Sequence, residues 1–273
     1  SGLPSHYKYD EWKLAPRIGL RYYIAPDVQL FANASRSIDP PSSWSSSGSG
    51  VTSNYAKPLV PQAANTVEFG IKGKAGVFDG SLAFYKSWIK NELLNVEVLP
   101  ATSTSAAVVS TSNATPTIHQ GIEAGLSTRL WEGANGDSLT WRQAYTLNDF
   151  HYDNDPLFKQ NELPGLPKHV YQSELQYQWA SGFYAGVNLR SVSSTAVDYA
   201  NSFRADSHLI FGTRVGFDAP NGRWQAWAEL RNLTDRHYAA TVTPGYDDAG
   251  KDLARSTPGD GRGVYAGVRW RFD

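Results

Sequence analysis

The sequence predicts an all-β fold, an antiparallel transmembrane β-barrel, from three observations. Residues 264–272 alternate between an apolar row that ends in Phe272 and a row that contains Arg269 and Arg271, as side chains on the two faces of a strand do. Similar rows recur in about eleven segments, each longer than the strands of most globular proteins. The connections between these segments alternate between short and long, which is typical of an outer-membrane barrel.

The first three predicted strands are clear and the fourth is not. Their apolar rows are Leu14, Pro16, Ile18, Leu20, Tyr22 and Ile24; then Val28, Leu30, Ala32 and Ala34; then Val67, Phe69 and Ile71. In the fourth segment, around residues 82–98, Tyr85, Trp88 and Ile89 interrupt the alternation. A single strand with this pattern also fits a soluble sheet with one face on a core.

The later strands repeat the pattern. Their apolar rows are Ile118, Ile122, Ala124, Leu126 and Leu130; Leu139, Trp141, Tyr145 and Leu147; Tyr171, Leu175, Tyr177 and Trp179; Phe183, Ala185, Val187 and Leu189; Leu209, Phe211, Val215 and Phe217; and Trp224, Ala226, Ala228 and Leu230. Charged side chains occupy the opposite rows, so we expect a polar lumen and an apolar exterior. The residues predicted to face the lumen are Arg21, Glu68, His119, Glu123, Arg129, Glu174, Arg214, Glu229, Arg231 and Arg269.

Two kinds of connection are expected on opposite rims. Short turns are predicted near residues 25–27, 75–79, 132–138, 180–182 and 218–223. Long loops are predicted near residues 38–63, 99–114, 152–167, 198–205 and 240–262. In outer-membrane barrels the short turns are periplasmic and the long loops are extracellular.

The composition narrows the class of protein. Basic and acidic residues number 25 and 26 among 273, so the charge gives no reason to expect a nucleic-acid partner. Aromatic residues make up 13%, as expected where Trp and Tyr line the membrane interfaces. The absence of cysteine removes disulfides and thiolate chemistry, and no apolar run of about 18 residues predicts a transmembrane helix. Because methionine is also absent, we expect a piece of a longer protein.

Five segments resemble one known family, the TonB-dependent outer-membrane receptors. WAELRNLTDRHY at residues 227–238 is similar to the penultimate strand of that family, and PGDGR at 258–262 to the segment that opens the last strand. SRSIDPPS at 35–42 resembles a loop entry of these receptors. EFGIKG at 68–73 and HQGIE at 119–123 resemble two of their strands.

This resemblance implies a plugged 22-stranded barrel of which residues 1–273 are the C-terminal portion, holding roughly strands twelve to twenty-two. The N-terminal plug and the first barrel strands would then be missing. The implied partners are outer-membrane lipid, the TonB energy-transducing complex acting through the missing plug, and a small-molecule ligand. The implied function is energised import through the bacterial outer membrane, with a ferric siderophore or other iron chelate as the expected ligand and cobalamin, haem or a saccharide as alternatives.

An anionic chelate would be bound by loop cations and aromatic side chains. The candidates are Trp44, Tyr55, Lys57, His151, Tyr152, Lys159, Tyr199, Tyr246, Lys251 and Arg255. No histidine pair has metal-ligand spacing and no catalytic constellation can be assembled, so we expect neither an enzyme nor a cofactor. A passive porin, a lipid-modifying barrel enzyme and a soluble saccharide-binding sandwich are the rival interpretations.

Overall fold

The computed structural model describes residues 12–41, 59–99, 108–246 and 252–272, and these form β-structure joined by turns and loops. The strands are β1 Arg17–Ala25, β2 Val28–Asp39, β3 Gln62–Ala75, β4 Phe78–Lys90, β5 Leu93–Leu99, β6 Val108–Asn113, β7 Thr117–Glu132, β8 Ser138–Tyr152, β9 His169–Gln178, β10 Phe183–Val192, β11 Thr195–Ala196, β12 Arg204–Ala205, β13 His208–Asp218, β14 Trp224–Arg231, β15 Ala239–Tyr246, β16 Asp252–Pro258 and β17 Gly263–Trp270. Across these ranges, no helix has the length and apolar character that a helical membrane span requires.

Eleven strands form one antiparallel sheet in the order β1-β2-β3-β4-β7-β8-β9-β10-β13-β14-β17. Each strand therefore pairs with the next long strand along the chain. Within the described residues β1 and β17 form the two edges, and the sheet does not close on itself. The prediction of about eleven strands in a partial antiparallel barrel is confirmed.

The sheet has one apolar face and one polar face. The apolar row of each strand is in register with that of its neighbour; for example, Leu20 lies opposite Ala32, which lies opposite Phe69. Large side chains of this face are exposed, with 69% of Leu20, 58% of Phe69 and 58% of Val187 accessible. An apolar surface of this extent is unfavourable in water and matches the lipid-facing wall of a membrane barrel.

A band of aromatic side chains borders the apolar face at the short-turn rim. Trp131 stacks on Tyr177, with ring centroids 6.0 Å apart, and Tyr177 contacts Trp179 at 4.7 Å. Phe217 packs against Trp224 at 5.0 Å, and Trp224 lies in register with Trp270. Such a band is typical of the interfacial girdle of an outer-membrane barrel, because amphipathic rings favour the lipid headgroup level.

The two rims differ as predicted. Short turns join β1 to β2, β3 to β4, β7 to β8, β9 to β10 and β13 to β14. One of these turns requires glycine at residue 182, where φ is 101° and a Cβ would lie 2.3 Å from the backbone oxygen of Asp218. Every longer connection leaves the opposite rim.

Among the described residues, three of the long connections contain small two-stranded sheets of their own. These are the pairs β5–β6, β11–β12 and β15–β16. The ambiguous segment at residues 82–98 accordingly divides into the end of β4 and the hairpin strand β5, which Asn91 separates with a φ of 59°. The interrupted alternation marks the place where the chain leaves the main sheet.

Candidate functional site

The structure places all ten residues predicted for the lumen on the polar face. Register links them in continuous rows: Glu68 lies opposite Tyr85, Glu123 opposite Ala83, and His119 opposite Ser87. Farther along the sheet, Arg214 lies opposite Glu229, and Arg269 opposite Gln225. Contact of these side chains with a plug stays a prediction.

Ion pairs and aromatic contacts organise this polar face. Glu174 accepts a hydrogen bond from Arg142 at 2.7 Å, a cation that the sequence reasoning did not single out. Arg231 donates two hydrogen bonds to Glu229, at 3.0 and 3.1 Å, and its guanidinium lies 4.4 Å from the ring centre of Tyr265. These contacts hold charged groups in fixed positions along the wall.

At the long-loop end of this face, His119 stacks on Phe150 with ring centroids 4.0 Å apart. The Nε2 atom of His119 lies 3.3 Å from the carboxylate of Glu92, which also accepts a hydrogen bond from Thr117. Glu92 immediately precedes the β5–β6 hairpin. The contact therefore anchors the base of that hairpin to the barrel wall.

Tyr152 and Tyr199, two of the predicted ligand residues, are brought together in a small hydrophobic cluster among the loops. Their exposed fractions are 2% and 5%, and they pack with Leu163 and with the partly buried Phe158. Leu94 and Ala114, from the β4–β7 connection, pack against the same cluster. Both tyrosines thus support the packing of three loops, and their contact with a ligand stays a prediction.

Hydrogen bonds connect the same loops around this cluster. Asp155 accepts hydrogen bonds from Thr115 Oγ1 at 2.6 Å and from the backbone N–H groups of Leu157 and Phe158 at 2.7 Å each. Burial acts to raise the pKa of Asp155, but these hydrogen bonds outweigh burial and hold the pKa below its ordinary value. Near neutral pH, Asp155 is therefore ionised, and its carboxylate holds the turn through these hydrogen bonds.

A second set of contacts ties the β8–β9 loop to its neighbours. Asn201 and Glu162 exchange two hydrogen bonds through the Asn201 amide and the Glu162 backbone, at 2.8 and 2.9 Å. The Glu162 carboxylate pairs with Arg204 at 3.0 Å. Lys168 donates to Asp149 at 2.9 Å, and this hydrogen bond raises the pKa of Lys168.

The remaining ligand candidates are dispersed. His151 is in register with Ile118 of the outer row, and its Nδ1 lies 2.9 Å from the backbone oxygen of Tyr152. Lys159 is exposed and donates to the backbone oxygen of Pro156, while Arg255 is exposed on β16. The candidates outside the described residues are Trp44, Tyr55, Lys57 and Lys251, and for Tyr246 only the backbone is described.

No group of three or more His, Asp or Glu side chains suited to hold a metal ion occurs in the described part of the chain. The arrangement is instead that of a barrel wall: an apolar outer face, a charged inner face and packed loops on one rim. This combination defines a class, the outer-membrane β-barrels. What such an arrangement can do chemically is bind and pass a solute along a polar surface.

Comparison with known proteins identifies the family within this class. The model of the β-barrel of TonB dependent receptor-like proteins matches residues 2–233. The chain belongs to this family, as the five sequence segments indicated. The family is made up of transport receptors.

The metal-pseudopaline receptor CntO of Pseudomonas aeruginosa is 28% identical over 249 residues, covering 80% of this chain and 32% of the relative. The ferric yersiniabactin uptake receptor FyuA of Yersinia pestis superposes with a TM-score of 0.67 at 18% identity, covering 92% of this chain and 36% of FyuA. The copper transporter OprC gives a TM-score of 0.73 at 14% identity, covering 94% of this chain and 39% of OprC. The chain thus spans about a third of the length of these proteins.

Proposed function

We propose that this chain forms part of the wall and the loops of an outer-membrane receptor that captures a metal chelate and imports it with energy from the TonB system. A ferric siderophore or another iron chelate is the first candidate. The energy would act through a plug encoded outside this chain. Residues 1–273 would be the C-terminal portion of the barrel of the full-length receptor.

The observation that carries the proposal is the joint placement of a charged inner face and packed loops on a barrel of this family. A solute captured among the loops meets a polar path along the wall, where Arg142, Arg214 and Arg231 are held in place by carboxylates or aromatic rings. The relative CntO, which aligns with most of the chain, is by its name a receptor for a metal chelate. A role in metal uptake is consistent with the polar wall of the barrel and with the name of this relative.

Growth of a deletion strain under iron limitation tests the proposal. The strain should lose uptake of at least one radiolabelled ferric chelate, and the full-length gene should restore it. Restoration should also require the TonB protein, because energised import depends on it. Unchanged uptake of every ferric chelate, together with unchanged uptake of chelated zinc, nickel, cobalt and copper, would exclude the metal-chelate function.

A further inference from the structure

We propose that Arg190, His208 and Arg236 form an anion-binding subsite at the long-loop end of the polar face. The ligand class is an oxyanion, such as the carboxylate groups of a metal chelate. The identification of that chelate as the transported solute rests on the proposed function, whereas the binding of the anion does not.

The sheet register brings the first two residues together. Arg190 on β10 lies opposite Ile210, and Val192 lies opposite His208 at the start of β13. Arg190 and His208 are therefore diagonal neighbours on one face, a spacing that long side chains bridge. Both belong to the row that contains Asn188 and Gly212, which is the polar face.

The turn after β14 brings Arg236 to the same place. The side chain of Asn232, which is 3% exposed, accepts a hydrogen bond from the N–H of Arg236 at 2.8 Å and donates to its carbonyl oxygen at 2.9 Å. The N–H of Leu233 donates to the oxygen of Phe211 at 2.8 Å, which ties the turn to β13. The backbone of Arg236 is thus fixed relative to the strand that carries His208.

An aromatic wall completes the subsite. Tyr238, from the same turn, packs against His208 with ring centroids 4.5 Å apart. Arg190 is a diagonal neighbour of His208 in the sheet, and Arg236 lies two residues before Tyr238, so the backbones of both arginines lie close to the ring. The Nδ1 atom of His208 is buried, and the ring also lies against the backbone of Asp206.

The charges of this cluster lack the carboxylates that neighbouring cations have. Arg204 pairs with Glu162, Lys168 with Asp149, and Arg262 with Asp235. In the described part of the chain, neither Arg190 nor Arg236 has a carboxylate in ion-pair contact. An anion bound beside both cations would neutralise their charge and accept their hydrogen bonds.

The test uses the purified full-length receptor and two metal-free probes, citrate and pyrophosphate, in calorimetric titrations at low salt. We expect the wild type to bind at least one probe. Arg190→Gln and Arg236→Gln should each weaken binding about tenfold, which is the loss of about 1.4 kcal/mol from a charge-assisted hydrogen bond. The double variant should abolish binding.

Arg204→Gln is the matched control, because it removes a rim cation that already has a carboxylate partner. It should bind both probes within about twofold of the wild type, and equal melting temperatures should show that all variants fold. Absence of binding by the wild type, or equal binding by the double variant, overturns the subsite. Failure of the metal-uptake test with intact anion binding would instead remove only the proposed function.

Discussion

At the residue scale, Asp155 shows how one carboxylate organises a loop. One of its oxygens accepts the N–H groups of Leu157 and Phe158, and the other accepts the hydroxyl of Thr115 from the preceding long connection. Because the folded-state pKa lies below the ordinary 3.8, the stabilisation is fully present above that value and is lost as the pH falls through the folded pKa.

Replacement of Asp155 should therefore open this turn. We expect Asp155→Ala to cost on the order of 2 kcal/mol in the free energy of local opening, because three donors lose their acceptor. Hydrogen exchange of the Leu157 and Phe158 amides, corrected for intrinsic rates, measures this cost. The isosteric Asp155→Asn keeps an acceptor for the two amides and should lose less.

The pH dependence of amide protection distinguishes the effect of the Asp155 charge from the effect of its side-chain shape. Wild-type protection of these amides should stay constant from pH 7 to pH 5 and fall below about pH 3.8, whereas the Asp155→Asn protein should show no such fall. Equal profiles for the two proteins would mean that the carboxylate charge does not hold the turn.

The roles of individual loop residues could not be predicted from the sequence alone. The sequence predicts ligand contact for Tyr152 and Tyr199, which stays a prediction, but it does not indicate their packing against Leu163. Their burial depends on contacts between loops that are distant along the chain, which no local pattern records. For the charged residues of the polar row, local alternation was sufficient to assign the face.

At the scale of the elements, successive long loops are packed as a unit rather than as separate flaps. The β8–β9 loop bonds to the β10–β13 connection through Asn201 and Glu162, and to the β4–β7 connection through Asp155 and Thr115. Gly165 extends these contacts, because its N–H donates to the oxygen of Ala196 at 2.9 Å. Loops joined in this way open together.

Removal of the Asn201 side chain should loosen two loops at once. Its φ of 57° favours glycine, so Asn201→Gly removes the hydrogen bonds without backbone strain. The loss of the two bonds to Glu162, at about 1 kcal/mol each, predicts roughly thirtyfold faster exchange in both residues 153–168 and residues 193–207. The third bond of this side chain, to the Asp198 oxygen, lies within the β10–β13 connection. Peptide-level hydrogen exchange measures both regions in one experiment.

Asn154→Gly is the control for this experiment. Asn154 has a nearly identical φ of 58°, but its side chain bonds only within its own loop, to Asp153 and Gln160. Faster exchange in this variant should be confined to the β8–β9 loop. If Asn201→Gly also affects only one loop, the loops open independently.

The strands of the main sheet could be predicted wherever one of their faces is uniformly apolar. The alternation assigned ten of the main strands clearly and became ambiguous only near the end of β4. There Ile89 occupies the polar row, between Ala64 and Thr117, and all three are buried at 6%, 9% and 1% exposure. Packing at the loop end places apolar groups on the inner face. There the alternation of polar and apolar residues no longer distinguishes the two faces of the sheet.

At the scale of the whole molecule, the fold depends on an apolar face that none of the described residues covers. The buried hydrophobic cluster lies among the loops, whereas the side chains of the outer rows remain exposed. The lipid-facing character of this wall could be predicted because ten strands repeat the same polarity. The ligand could not be predicted, because it depends on which unpaired loop and wall groups converge in space.

A charge placed on each face in turn tests this arrangement in the full-length protein. Val187 lies in the outer row of β10 and is 58% exposed, and Ala144 is an exposed residue of the polar row of β8. Val187→Lys should destabilise the lipid-inserted barrel by about 2 kcal/mol, because the ammonium group would be placed in hydrocarbon. Ala144→Lys should change stability by less than about 0.5 kcal/mol. Reversible urea unfolding in lipid vesicles measures both values, and a larger cost at Ala144 than at Val187 would show that the apolar face is not the one that meets lipid.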